Sequence, residues 1–168
     1  RKAGVNFYRM IRPRTFANGN SSSRAEHFLR GGVSEQAEHW GANRLDRTYL
    51  TGGESESCCA HNTEKILEYL LRYDPEHRLQ YLEHLESLKY NAVLNAFSGK
   101  TGLSQYHQPM GADSRKKFSS PYGDFWCCTG SGVEAAAELQ KNIWFEEKGR
   151  IFLNMFVSSE LHLEEPKA

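Results

Sequence analysis

All four cysteines of this chain lie in two short stretches, and these are the residues best suited to chemistry. Cys58 and Cys59 stand in Glu54-Ser55-Glu56-Ser57-Cys58-Cys59-Ala60-His61-Asn62, and Cys127 and Cys128 in Phe125-Trp126-Cys127-Cys128-Thr129-Gly130-Ser131-Gly132. Thiolates are the soft ligands that zinc prefers, and zinc takes its donors as a tetrahedron. Glu56 and Cys58, spaced E-x-C, can both turn toward one ion, and Cys127 and Cys128 can close it from the other side as a Cys3Glu shell. This stretch pair is the candidate active site. Two disulfides are the competing reading, the usual one for an even cysteine count in an oxidising compartment. The chain is longer than the small scaffolds that need such staples, and neighbouring cysteines close a strained ring when they pair with each other.

The elements that must position these residues are mostly helical. Phe7, Met10 and Ile11 recur at helical spacing in residues 1–14. Residues 14–53 are rich in Gly, Ser and Asn, without a period, and read as a long functional loop anchored by Phe16, Phe28, Trp40 and Tyr49. It carries one phrase twice, Ala25-Glu26-His27-Phe28 and Ala37-Glu38-His39-Trp40. Ile66, Leu67, Leu70 and Leu71 form the stripe of a helix over 59–73, which Asp74-Pro75 stops. In the next helix Leu79, Leu82, Leu85, Leu88, Ala92, Val93 and Ala96 repeat every three or four residues, with Glu83, Glu86 and Lys89 facing away and Gly99 at the C-terminal cap. The short link makes the two helices an antiparallel hairpin. Leu103 to His107 reads as a strand, with Lys116 and Lys117 exposed. Ser131 and Glu134 read as an S-x-x-E capping box, which would set Cys127 and Cys128 just before a helix N-terminus whose dipole favours a thiolate. From Ile143 the period becomes two, and Ile143–Phe145, a turn at Lys148-Gly149 and Ile151–Val157 predict a β-hairpin.

Bulk composition narrows the partners. With 168 residues, 39% of them apolar, the chain can bury a core of ordinary domain size. Lysine plus arginine equals aspartate plus glutamate at 21 each, so there is no basic field for nucleic acid or anionic lipid. No apolar run reaches membrane-spanning length, and Arg1-Lys2-Ala3-Gly4 has neither an initiator methionine nor a signal-peptide core. The chain is accordingly expected to begin within a longer protein, and the compartment stays unread.

Glu56-Ser57-Cys58-Cys59-Ala60-His61-Asn62, Leu88-Lys89-Tyr90-Asn91-Ala92-Val93-Leu94, and Phe125-Trp126-Cys127-Cys128-Thr129-Gly130 with Glu134 resemble, in order, three signatures of the β-L-arabinofuranosidase family, glycoside hydrolase family 127. The resemblance runs over residues 7–160. Members of that family are several times longer, with an (α/α)6 barrel followed by β-sandwich domains. It therefore implies a mainly α chain with a C-terminal β-hairpin: residues 1–141 as the C-terminal part of the catalytic barrel, and 142–168 as the first strands of a β-sandwich. By similarity Glu56, Cys58, Cys127 and Cys128 hold zinc, and Cys127 is the nucleophile of a retaining glycosidase that acts on L-arabinofuranosides or a related sugar in plant-derived glycans.

Most retaining glycosidases use a carboxylate where this reading uses a thiolate. Zinc would deprotonate the thiol but also blunt it, so ligation must loosen during attack. A carboxyl group must protonate the leaving oxygen and later activate water. The family places it in the loop before E-x-C, where Glu38, 18 residues before Glu56, fits the spacing better than Glu26, 30 residues before it. Taken singly, either acid is most often a solvated surface charge. His61, Tyr90, Tyr106 and His107 are candidates to line the sugar pocket, although a lone helical tyrosine such as Tyr90 is more often core. Cys59 is expected to be a buried inert thiol, His77 and His84 to be exposed, and Asn62 and Asn91 to orient neighbours. The alternative function is a non-catalytic, zinc-stabilised structural or carbohydrate-binding segment. A thiol-redox role lacks a C-x-x-C spacing. With half of the barrel elsewhere, these residues alone are expected to turn over weakly or not at all.

Overall fold

The computed structural model describes residues 1–12, 15, 55–109 and 115–163. Four α-helices carry the fold: α1 (Lys2–Ile11), α2 (Ser57–Tyr73), α3 (Arg78–Leu88) and α4 (Cys127–Ala137). The strands are short and antiparallel. β1 (Ser55–Glu56) pairs with β2 (His107–Gln108), and β3 (Trp144–Glu147) pairs with β4 (Arg150–Leu153). The mainly helical class and the C-terminal hairpin agree with the sequence reading.

Pro75 opens a single 3-10 turn, Pro75–His77, whose fixed φ ends α2 and starts the reversal into α3. Arg78 Nε then donates to the Leu71 carbonyl at 3.0 Å, while Lys89 at the far end of α3 reaches Glu64. Contacts at 71–78 and 64–89 make α2 and α3 the expected antiparallel hairpin. Leu67, Leu70 and Leu71 of α2 meet Tyr81, Leu85 and Leu88 of α3, and Tyr8 and Ile11 of α1 complete this core. The terminal hairpin is docked on it through Phe145 and through Arg78 Nη1, which donates to both oxygens of Glu147 at 2.9 and 3.0 Å. Its turn is the one expected, with Lys148 and Gly149 both at positive φ (52° and 73°), the twist that closes a tight hairpin.

Several expectations are corrected. Leu79 is 71% exposed, because the buried stripe of α3 runs through Tyr81, Leu85 and Leu88 and leaves Leu79 on the far side. Lys89, expected to face away, is wholly buried: a π turn over Lys89–Val93 widens the helix there and swings its ammonium onto Glu64. His84, expected to be exposed, is buried with Nδ1 at 3.2 Å from the Tyr8 hydroxyl, and His77 is half-buried against Asp74. The helical path ends at Ala96 with Phe97 extended. The left-handed position of the turn that follows is Gly102, not Gly99. The strand expected at Leu103–His107 is broken into single bridges, Ser104 to Phe97 and Gln105 to Phe118, before β2 begins at His107. The second strand of the hairpin stops at Leu153, short of Val157.

Asp74, at the α2–α3 corner, is buried and accepts hydrogen bonds from the Tyr81 hydroxyl at 2.6 Å and the Arg1 guanidinium at 2.9 Å, with His77 Nδ1 at 3.1 Å. The Tyr81 hydrogen bond first, then those of His77 and Arg1, hold its carboxyl below the ordinary 3.8 against the opposing effect of burial. A carboxyl whose folded pKa is depressed adds stability above its unfolded pKa and loses it as pH falls through the folded one. Asp74→Asn should therefore flatten the acid limb of a plot of Tm against pH and lower Tm at pH 7. An unchanged acid limb would show that this corner does not couple protonation to folding.

Candidate active site

The two cysteine motifs converge. β1 carries Glu56 into the first turn of α2, where Cys58 and Cys59 follow, and Cys127 and Cys128 form the first turn of α4. The expected capping box is displaced: α4 begins at Cys127 after an extended Trp126, so Ser131 and Glu134 lie inside the helix and do other work. Ser131 Oγ donates to Cys58 Sγ at 3.2 Å, and Glu134 faces α2, with Oε2 at 3.0 Å from His61 Nε2 and Oε1 at 2.6 Å from Lys65 Nζ.

Contacts along this seam ascend together on both helices, 58 with 128, 58 with 131, 61 with 134 and 65 with 134. The helices thus run side by side in the same direction, and both N-termini meet at the sulfurs. Two positive dipole ends favour thiolate there. The β1–β2 pairing locks the entry to α2. The Ser57 N–H donates to the Tyr106 carbonyl at 2.9 Å, and its hydroxyl to the Gln105 carbonyl at 2.6 Å.

Within the cluster the Cys58 thiol donates to Cys128 Sγ at 3.2 Å, and Cys127 Sγ stands 4.0 Å from Cys128 Sγ. Cys128 Sγ is 3.8 Å from Glu56 Oε1. All four cysteines are free, so the disulfide alternative is not the arrangement found. The shared hydrogen bond raises the pKa of Cys58 and pulls that of Cys128 down to about 6, while burial opposes ionisation at both. One donor atom each of Glu56, Cys58, Cys127 and Cys128 lies within 4.8 Å of the others. Three sulfurs and a carboxylate, unbonded and gathered at that range, fit a single soft cation such as zinc. Two other acid-rich groups are already neutralised, Asp74 by Arg1 and Glu134 by Lys65.

Cys128 is fully buried, whereas Cys127 is exposed. Tyr106 stands over Cys127 with its hydroxyl 3.8 Å from the sulfur, its ring edge-on to Trp126 at 5.7 Å and tilted against His107 at 4.5 Å. The other candidates are placed differently. His61 is buried with Nδ1 3.5 Å from Glu64 and Nε2 on Glu134, and Tyr90 is exposed on the π turn. Cys59, expected to be inert and buried, is half-buried and donates to Glu56 Oε2 at 3.6 Å. Asn62 donates to the Cys58 carbonyl at 2.9 Å and Asn91 to the Ser87 carbonyl at 3.0 Å, so only Asn62 braces the site. Glu26 and Glu38 lie outside the described residues.

The family described as beta-L-arabinofuranosidase, GH127 catalytic domain, matches residues 9–141. The chain belongs to that family of glycoside hydrolases. No curated protein matches it.

Gly132 shows how tightly α4 is set. A Cβ there would meet two carbons of the Phe97 ring at 3.1 Å, one turn beyond Cys128. Gly→Ala inside a helix ordinarily gains up to about 1 kcal/mol, whereas overpacking costs about 1–3 kcal/mol, and the balance turns on whether the Phe97 ring can give by a few tenths of an ångström. Gly132→Ala should destabilise the fold by about 1 kcal/mol in denaturant unfolding, the net of those two ranges. A stabilised variant would mean that α4 shifts freely against Phe97.

Proposed function

We propose that the protein is a retaining glycosidase that cleaves L-arabinofuranosides or a closely related sugar with Cys127 as nucleophile. The observation that carries this reading is the convergence of Glu56, Cys58, Cys127 and Cys128 at two helix N-termini, in a chain of this hydrolase family. We also assign residues 1–141 to the C-terminal part of an (α/α)6 barrel and 142–168 to the start of a β-sandwich. The family match ends at residue 141 and β3 starts at Trp144, which supports that division.

Glu56, Cys58, Cys127 and Cys128 would hold the zinc. When bound, zinc supplies charge that keeps the thiols ionised at neutral pH. The residues themselves divide the labour by exposure. Cys128 and Cys58 are the more enclosed and anchor the cluster, while the exposed Cys127 sulfur can reach an anomeric carbon. Its electron pair forms the C–S bond as the glycosidic C–O bond breaks, and the departing oxygen takes a proton from a carboxyl group, Glu38 or Glu26. The resulting carboxylate then removes a proton from water, which displaces the thiolate and releases the sugar with its configuration retained. Tyr106 and His107, beside Cys127, are placed to contact the sugar.

In the intact enzyme Cys127→Ser should nearly abolish turnover of an aryl arabinofuranoside, because a serine hydroxyl is a poor nucleophile without a dedicated base. Glu38→Ala should slow substrates with poor leaving groups by about 10²–10⁴-fold, spare formation of the covalent species from activated aryl glycosides, and be rescued by azide. Rescue of Glu26→Ala instead would move the acid/base role to the other copy of the Ala-Glu-His phrase. Full activity in Cys127→Ser would remove Cys127 as the nucleophile, and no hydrolysis by the unaltered intact enzyme would leave a non-catalytic zinc-stabilised or carbohydrate-binding role.

A further inference from the structure

We infer that Lys89, Glu64, His61 and Glu134 form a positioning chain, buried except at Glu134, that sets the distance between the first turns of α2 and α4, and with it the spacing of Cys58 and Cys128. This rests on the metal-site reading above. Four observations carry it. Lys89 is fully buried and contacts Glu64 Oε1; Glu64, also buried, turns its other oxygen to His61 Nδ1 at 3.5 Å. His61 uses its second nitrogen on Glu134 Oε2 at 3.0 Å, and Glu134 spends its remaining oxygen on Lys65 at 2.6 Å. The chain therefore spans three elements, from the π turn after α3 to α2, along α2 from Glu64 to His61, and across to α4. The His61–Glu134 link lies on the same seam as the 3.2 Å contact of Cys58 with Cys128, one turn further along α2 and nearly two along α4.

The energetics argue against a role in stability alone. Burying an ammonium and a carboxylate costs several kcal/mol per ion, and replacing such pairs with apolar residues of similar size is often neutral or stabilising. What the charges add is pairing between particular atoms. Opposite charges held at these separations tie the π turn, α2 and α4 to one another at named positions, which leucine packing would not. The π turn that delivers Lys89 is itself a distortion of the kind found at functional sites. His61 thereby acts as a positioning residue through the helices it joins.

The experiment uses two variants. Glu64→Leu with Lys89→Met removes the buried charges together and leaves none unpaired. Glu134→Ala, at a half-exposed position, removes the link to α4 without touching the core. The decisive readout is the rate at which diamide, a two-electron oxidant that accepts the two thiol hydrogens, joins Cys58 to Cys128 in metal-free protein, mapped by peptide mass spectrometry. Both variants should keep the helical circular dichroism and a cooperative melt, yet crosslink several-fold more slowly and bind zinc about tenfold more weakly in chelator competition. Crosslinking as fast as in the unaltered protein, in either folded variant, overturns the inference. If the unaltered protein binds no zinc, the metal reading fails by itself and the crosslinking rate still decides this one. If the double variant does not fold, Glu134→Ala decides alone.

Discussion

Everything at the site depends on two helices starting at the same place. A single helix N-terminus offers unpaired N–H groups and about half a positive charge. Here α2 and α4 bring two such ends together, and each presents a cysteine pair in its first turn. Three thiols and a carboxylate within 4.8 Å would repel one another if all were ionised. Protons can relieve part of that, as the hydrogen bond from Cys58 to Cys128 does, and a divalent cation can offset half of the four charges while attracting every ligand at once.

The remainder of the fold serves to hold that juxtaposition. The α2–α3 hairpin makes the rigid body, built on leucines that meet across it, and the corner at Asp74 ties α1 to it. α4 contributes little hydrophobic surface of its own, with Ala135 as its part of the core. Its position is instead fixed by close approach at Gly132, by the hydroxyl of Ser131 on Cys58, and by Glu134 on His61 and Lys65. Small and polar residues suit that task, because they let the helix backbones approach and give the seam a register. The same tight seam leaves Cys128 sealed and Cys127 open, so the two neighbouring cysteines differ in access to a sugar.

The candidate metal ligands were legible in the sequence because thiols are scarce and their pairing in two motifs is chemically specific. The hairpin was legible because Leu67, Leu70, Leu85 and Leu88 follow the helical period and Pro75 punctuates it. What escaped was whatever depends on a partner far away in sequence. Lys89 and His84 carry polar side chains, and period alone sends such residues outward; their partners, Glu64 and Tyr8, lie in other helices. A signal existed in Lys89, a charge set directly between Leu88 and the buried Ala92 and Val93. Ser131 and Glu134 matched a capping pattern whose spacing is equally that of one helix face, and the face was their actual use. The two-residue β1–β2 pairing is too short to leave a period at all.

The most direct test of the central claim is X-ray absorption at the zinc edge on protein loaded with one equivalent of the metal. A Cys3Glu site predicts a four-coordinate first shell with three sulfur scatterers at about 2.3 Å and one oxygen at about 2.0–2.2 Å. A shell made only of nitrogen and oxygen, or no zinc retained after desalting, would contradict it.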